Sequence, residues 1–262
     1  VKRNYLRLMY QAVADVQVNE MAKLIQAHQL SQPCPGHPYA FREYLCCKRL
    51  LRMSFFVDQH SIVRRIWGKS DTVLFIFAGA AAEFALNKAV DWLYFTGKLP
   101  ADPLGRLFST VSYARKIVFS STDEANKAID TLQQIHGAVE QNRGSSIPDW
   151  AYRDVLFMLI HYSISAYELL EHRLSAAEKE EVYNVFYRVG SRMGLKELPL
   201  TYIDWLPVRK QHMKDDLQKS AYTDDLFKQY KKHLGPMRYN VLIEGQKMVV
   251  PPRVKEMLGM RS

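Results

Sequence analysis

Apolar residues recur along this chain at intervals of three and four, the spacing that lays one side of a helix against a core. The pattern predicts helices at about 4–29, 38–58, 71–96, 103–119, 122–142, 148–172, 175–194 and 220–247. Strand-like alternation bounded by turns is confined to one stretch, YNVLIEGQKMVV at 239–250. Two helix starts are signalled chemically. STDE (121–124) and SAAE (175–178) each set a hydroxyl three residues before a glutamate, the capping-box form. GKLPADPLG (97–105) and NRGSSIP (142–148) are the clearest loops. With no internal repeat, low-complexity tract or long linker, the pattern predicts a single all-α domain.

Composition narrows this picture. A chain of 262 residues with 48% hydrophobic content is long enough for one large core. Its longest apolar run, Thr72 to Ala82, stops at Glu83, well short of the ~20 residues a membrane span requires. No h-region followed by a small-residue cleavage site opens the sequence, which begins at Val1. Cys34, Cys46 and Cys47 are odd in number with two adjacent, a poor disulfide framework. They predict reduced thiols and a cytoplasmic location. CPGH (34–37) has a metal-like spacing with no second half, so a proline-glycine loop accounts for it.

Charge is unevenly spread: +7 over residues 1–70, −4 over 71–205 and +6 over 206–262. Basic ends around an acidic middle suit an acidic partner, a membrane surface or nucleic acid. A solvated surface explains them as well, because no Lys/Arg block is long and no nucleic-acid motif accompanies them.

Phosphate-binding GxxxxGK[ST], GxGxxG, HExxH and GxSxG are all absent. A di-iron bundle needs two Glu-x-x-His motifs, and ELLEHR (168–173) has glutamates only four and one residues before His172. Three positions stand out instead. On the helix at 122–142, Ala125, Ala128, Ile129, Leu132, Ile135 and Val139 form a stripe that also takes in His136, with Gly137 beside it. That histidine is either a core residue bonded to a carbonyl or water, or a ligand whose other ring nitrogen is held by a hydrogen bond. On the helix at 103–119, Arg106, Ser109, Thr110 and Tyr113 form a polar row at i, i+3, i+4 and i+7. Such a row can donate hydrogen bonds to a carboxylate, a phosphate or bound oxygen, or simply belong to a partly exposed helix with a structural arginine. His161 lies in a helix apolar nearly all round and needs a partner there.

SIVRRIWGKSDTVLFIFAGAAA (61–82), ADPLGRLFSTVSYARKIVFSS (101–121), IDTLQQIHGAV (129–139) and the segment 150–183 follow one another in an order that resembles the DUF2236 family. That family holds the MpaB-type oxygenases and the latex-clearing rubber oxygenases. The resemblance covers roughly 60–255, which makes 60–262 the family domain and 1–59 an N-terminal helical extension packed on it.

The resemblance implies a globin-like core holding haem b, with His136 as the proximal iron ligand. Arg106 and Thr110 match the distal Arg-x-x-Lys-Thr pattern of the rubber oxygenases, and Ser109 stands where they have the lysine. A lysine capping the iron is therefore missing, which favours an open or water-bound sixth site. Ala85-Leu86-Asn87 aligns with a family Ala-His-Pro, so that histidine is missing too, and Asp91 is the nearest distal acid. Tyr113 and His161 are further pocket residues.

The expected function is oxidation of a small apolar organic substrate by O₂. The basic ends would suit an electron-donor protein or a peripheral membrane contact, and no nucleic acid is expected. The alternatives are a non-catalytic haem sensor or carrier, and a basic helical adaptor without a cofactor.

Overall fold

The structure is a computed structural model that describes residues 54–97 and 103–260, with the backbone alone at 93 and over 103–108. The helix expected over 4–29 and most of that over 38–58 lie outside the described residues, and 54–58 are not helical. Ten helices follow among the described residues. They are α1 (Ile62–Gly68), α2 (Ser70–Phe84), α3 (Val90–Phe95), α4 (Pro103–Phe119), α5 (Thr122–Arg143), α6 (Asp149–Leu170), α7 (Ala176–Arg192), α8 (Tyr202–Asp215), α9 (Ala221–Val249) and α10 (Pro252–Leu258). Phe55–Ser262 holds together as one unit. No strand is formed among the described residues, only the isolated bridges Phe55–Ser121 and Asn87–Leu217.

The core is the crossing of α2 on α6, with α9 laid over α2 and α7 over α6. Small residues in α2 permit the crossing. Ala78 and Ala82 are buried, and a Cβ on Gly79 would stand 2.3 Å from carbons of the Tyr162 ring. α6 contributes Phe157, Met158, Ile160 and Tyr162, all fully buried, as its nearly all-round apolar sequence requires. Both capping boxes form. The Ser121 and Ser175 hydroxyls accept the N–H of Glu124 and Glu178, and each glutamate accepts its cap residue's N–H.

Four departures from the sequence pattern have local causes. The helix expected over 71–96 breaks at 85–89, where Asn87 Oδ1 accepts the N–H of Ala89 at 2.8 Å. There the Lys88 N–H also turns to the Asp216 carbonyl at 2.9 Å. The alternating stretch 239–250 is the last part of α9, which runs to Val249 with Val250 as its extended C-cap. α9 itself bends at Gly235 (φ 73°) before Pro236. α8 was hidden by Pro207, which sits inside it and removes one backbone donor. α1 and α10 are short, at 7 residues each, too few for a period to register. No helix among the described residues is long and apolar enough to cross a membrane.

Candidate functional site

α4 and α5 form a helical hairpin through the turn at 120–121. Along α5, Ala125, Ala128 and Ile129 are buried, Leu132 and Val139 are half-buried, and Ile135 is 37% exposed. The apolar stripe therefore starts in the core and opens as the helix proceeds. His136 lies in the open part and is half-buried. Its ring stands 5.2 Å from that of Tyr152, on α6. Tyr152 is held in turn: its hydroxyl donates to Glu140 Oε1 at 3.2 Å, which also accepts the Ile147 N–H at 2.7 Å. Burial, and then the Glu140 charge, push the Tyr152 hydroxyl well above the ordinary tyrosine pKa. Among the described residues, no heavy atom comes within 4 Å of a Cβ built on Gly137. An imidazole beside a glycine face that no described residue covers suits a flat, imidazole-ligated group.

The other residues singled out in the sequence are placed as follows. Arg106 lies on α4 at the same end of the hairpin as His136, with its side chain outside the described residues. Ser109 and Thr110 are exposed on α4, and Tyr113 is half-buried. Asp91, in α3, accepts Arg143 Nη2 at 2.7 Å, and the Arg143 guanidinium lies 3.9 Å over the Trp92 ring. Arg143 is two turns beyond His136 on the same face of α5, so Asp91 approaches the same end of that helix. His161 belongs elsewhere. Its Nε2 is 3.4 Å from Ser165 Oγ, and burial, followed by the nearby Arg209 charge, lowers its pKa to about 4. Glu83 opposes that shift.

A second polar centre, where α2, α6 and α8 meet, was not read from the sequence. Glu83 Oε2 accepts both the Tyr162 hydroxyl at 2.8 Å and Arg209 Nη2 at 2.6 Å, with Glu83 0% and Arg209 5% exposed. Next to it, the Asn87 amide donates to Asp154 Oδ2 at 2.6 Å, and His212 Nδ1 meets Asp154 Oδ1 at 2.6 Å. Asp216 Oδ2 is 3.8 Å from His212 Nδ1. Burial, then the Asp154 charge, raise the Asp216 pKa against the opposing effects of His212 and Lys88. The ligand atoms of Asp154, His212 and Asp216 lie within 4.8 Å of one another. They adjoin an open cleft of about 530 Å³, lined among others by Trp150, Pro207, Val208, Gln211, His212 and Asp216. HMKDD (212–216) carried half the signal, a histidine and an aspartate one turn apart. Asp154, on another helix, could not be joined to it by spacing.

The model of a family described as "ER-bound oxygenase mpaB/B'/Rubber oxygenase, catalytic domain" matches residues 64–262. No curated protein and no solved structure matches the chain.

Proposed function

The chain belongs to the mpaB/rubber oxygenase family and carries its catalytic domain, and from that premise we propose a haem b-dependent oxygenase with His136 as the iron ligand. The observation that carries this reading is the open face at Gly137, immediately beside a half-buried histidine on a helix that leaves the core. Haem supplies the O₂ and electron chemistry when bound, and the chain supplies position and dielectric.

His136 would hold the group through one ring nitrogen, which requires the neutral imidazole. Arg106 would donate hydrogen bonds from its guanidinium, and Thr110 from its hydroxyl, to orient and polarise dioxygen. Ser109 offers no cation at the position where the rubber oxygenases place lysine. Asp91, neutralised by Arg143, would serve as a proton acceptor once that ion pair opens. Tyr113 lies one turn from Thr110 and would close the substrate side, whereas His161, beside Glu83 and Arg209, takes no part in the pocket. A small apolar substrate, dioxygen and an external electron donor complete the reading. Within it, 60–262 is the catalytic domain and 1–59 an extension. The basic ends would face the donor or a membrane surface.

The test is an absorption spectrum with a pyridine haemochrome assay of wild type and His136→Ala. A Soret band near one haem per chain in wild type, lost in the variant, is expected. A colourless wild type that takes up no added haem overturns the cofactor, and a variant with full haem occupancy overturns His136. Arg106→Ala is expected to keep haem and lower turnover by about a hundredfold, the scale of one lost oxygen-directed donor. Unchanged turnover removes Arg106 from the chemistry.

A further inference from the structure

We propose that Asp154, His212 and Asp216 form a divalent-cation site at the inner end of the α8 cleft, separate from His136 and independent of the haem reading. The three side chains come from two helices and are held before any ion arrives. Asp154 is fixed by the Asn87 amide at 2.6 Å, and Asn87 is itself fixed by the Ala89 N–H and by its bridge to Leu217. Asp216 caps α8, its N–H bonded to the His212 carbonyl at 2.9 Å and its own carbonyl accepting the Lys88 N–H at 2.9 Å. A carboxylate oriented by a neighbouring amide is the arrangement found around metal ligands.

Asp216 distinguishes a cation site from a hydrogen-bonded Asp–His pair. The Asp154–His212 contact is complete without it, and at 3.8 Å its Oδ2 is too far from His212 Nδ1 to bond. Among the described residues no hydrogen bond reaches the Asp216 carboxylate, although its side chain is only 16% exposed. Its carboxylate is turned towards the Asp–His pair without hydrogen-bonding to either member, so a cation placed among the three would be held by two carboxylates and one imidazole. The wider charge balance agrees. Glu83, Asp154 and Asp216 bring three carboxylates to this junction, while Arg209 is engaged by Glu83 and Lys88 donates to the Asp215 carbonyl. Three carboxylates thus stand against two fixed cations.

Two carboxylates and one imidazole form a mixed oxygen and nitrogen set that suits Mn²⁺, Fe²⁺ or Zn²⁺ rather than a thiolate metal. Three protein ligands leave coordination positions for water, and His212 and Asp216 both line the cleft through which water enters. A bound cation would tie α6 to the end of α8.

The experiment titrates chelator-stripped protein with Mn²⁺ and with Zn²⁺, read by calorimetry and by Mn²⁺ electron paramagnetic resonance. Circular dichroism confirms the fold of each variant. Wild type is expected to bind one equivalent, and its melting temperature to rise with the added ion. Asp216→Asn and His212→Gln are expected to bind at least about tenfold more weakly. His136→Ala is expected to bind as wild type does. Wild-type binding weaker than about 1 mM overturns the site. Equal binding in wild type and Asp216→Asn overturns it too, because the ion then sits elsewhere. Haem is read separately by its Soret band, so a protein that takes up no added haem yet binds one Mn²⁺ overturns the haem reading and leaves this one standing.

Discussion

The junction of α2, α6 and α8 and the outer end of α5 are built from the same kinds of side chain, and the two regions behave differently. Each brings together histidine, tyrosine, carboxylate and arginine. At the junction Glu83 and Arg209 are 0% and 5% exposed. At the end of α5 the matching pair, Asp91 and Arg143, is 35% and 25% exposed. Both ion pairs are short, at 2.6 and 2.7 Å, so geometry does not separate them. Surroundings do. A charge enclosed by protein has one available partner, and losing it is expensive, whereas a half-exposed charge can exchange its partner for water or a ligand at little cost. The same chemical vocabulary makes a fixed strut in one place and a receptive surface in the other.

The most severe way to break this contrast is Arg209→Ala, which leaves Glu83 buried without its cation. It is expected to cost about 3–5 kcal/mol. Arg143→Ala is expected to cost no more than about 1 kcal/mol. Urea denaturation of both variants measures the gap, and equal losses would erase the distinction between strut and surface.

Acid provides the next probe. The His161 pKa of about 4 lies below the ordinary histidine value of 6.5. Between those values the unfolded chain takes up a proton that the folded chain refuses. Stability therefore falls as pH drops through that window and levels off above it. At about 1.4 kcal/mol per pKa unit the loss is on the order of 3–4 kcal/mol over the whole window and about 2–3 kcal/mol by pH 4.5. His161→Leu should remove this part of the slope, which denaturation at pH 7 and at pH 4.5 would reveal.

The gentlest comparison uses one substitution in both regions. Gly79→Ala forces a Cβ to within 2.3 Å of the Tyr162 ring and is expected to destabilise by about 1–3 kcal/mol. Gly137→Ala meets nothing among the described residues within 4 Å and relieves a mid-helix glycine, so about 0.5–1 kcal/mol of stabilisation is expected. If haem rests against that face, the same change should also weaken haem retention. Thermal melts of the two variants without added haem should therefore move in opposite directions.

These regions were unequally legible in the sequence. The α4–α5 hairpin was readable because its periodicity is strong and a capping box marks its inner turn at Ser121 and Glu124. His136 announced itself by interrupting an apolar stripe. The sequence could not show that the stripe leaves the core partway along α5, since periodicity gives a direction from the helix axis and not what lies there. The junction was not legible in the same way. Glu83 closes the apolar run of α2, Tyr162 sits within the apolar α6, and Arg209 and His212 belong to a helix concealed by Pro207. Their meeting depends on how three helices cross, which local spacing does not encode.

The Glu83–Arg209 pair also bears on the order in which the chain can be made. Its members are 126 positions apart, and the Asn87–Leu217 bridge spans a similar stretch. During synthesis α2 and α6 emerge first with matching apolar faces, but the carboxylate of Glu83 has no cation until α8 has left the ribosome. Until α8 is made, Glu83 has only Tyr162 and water as partners, so the buried ion pair of the crossing forms late in synthesis. A domain so rich in local helical contacts would otherwise close early. A nascent chain stalled before Arg209 would lack this closing pair, and the incomplete core it exposes is the kind of surface chaperones cover.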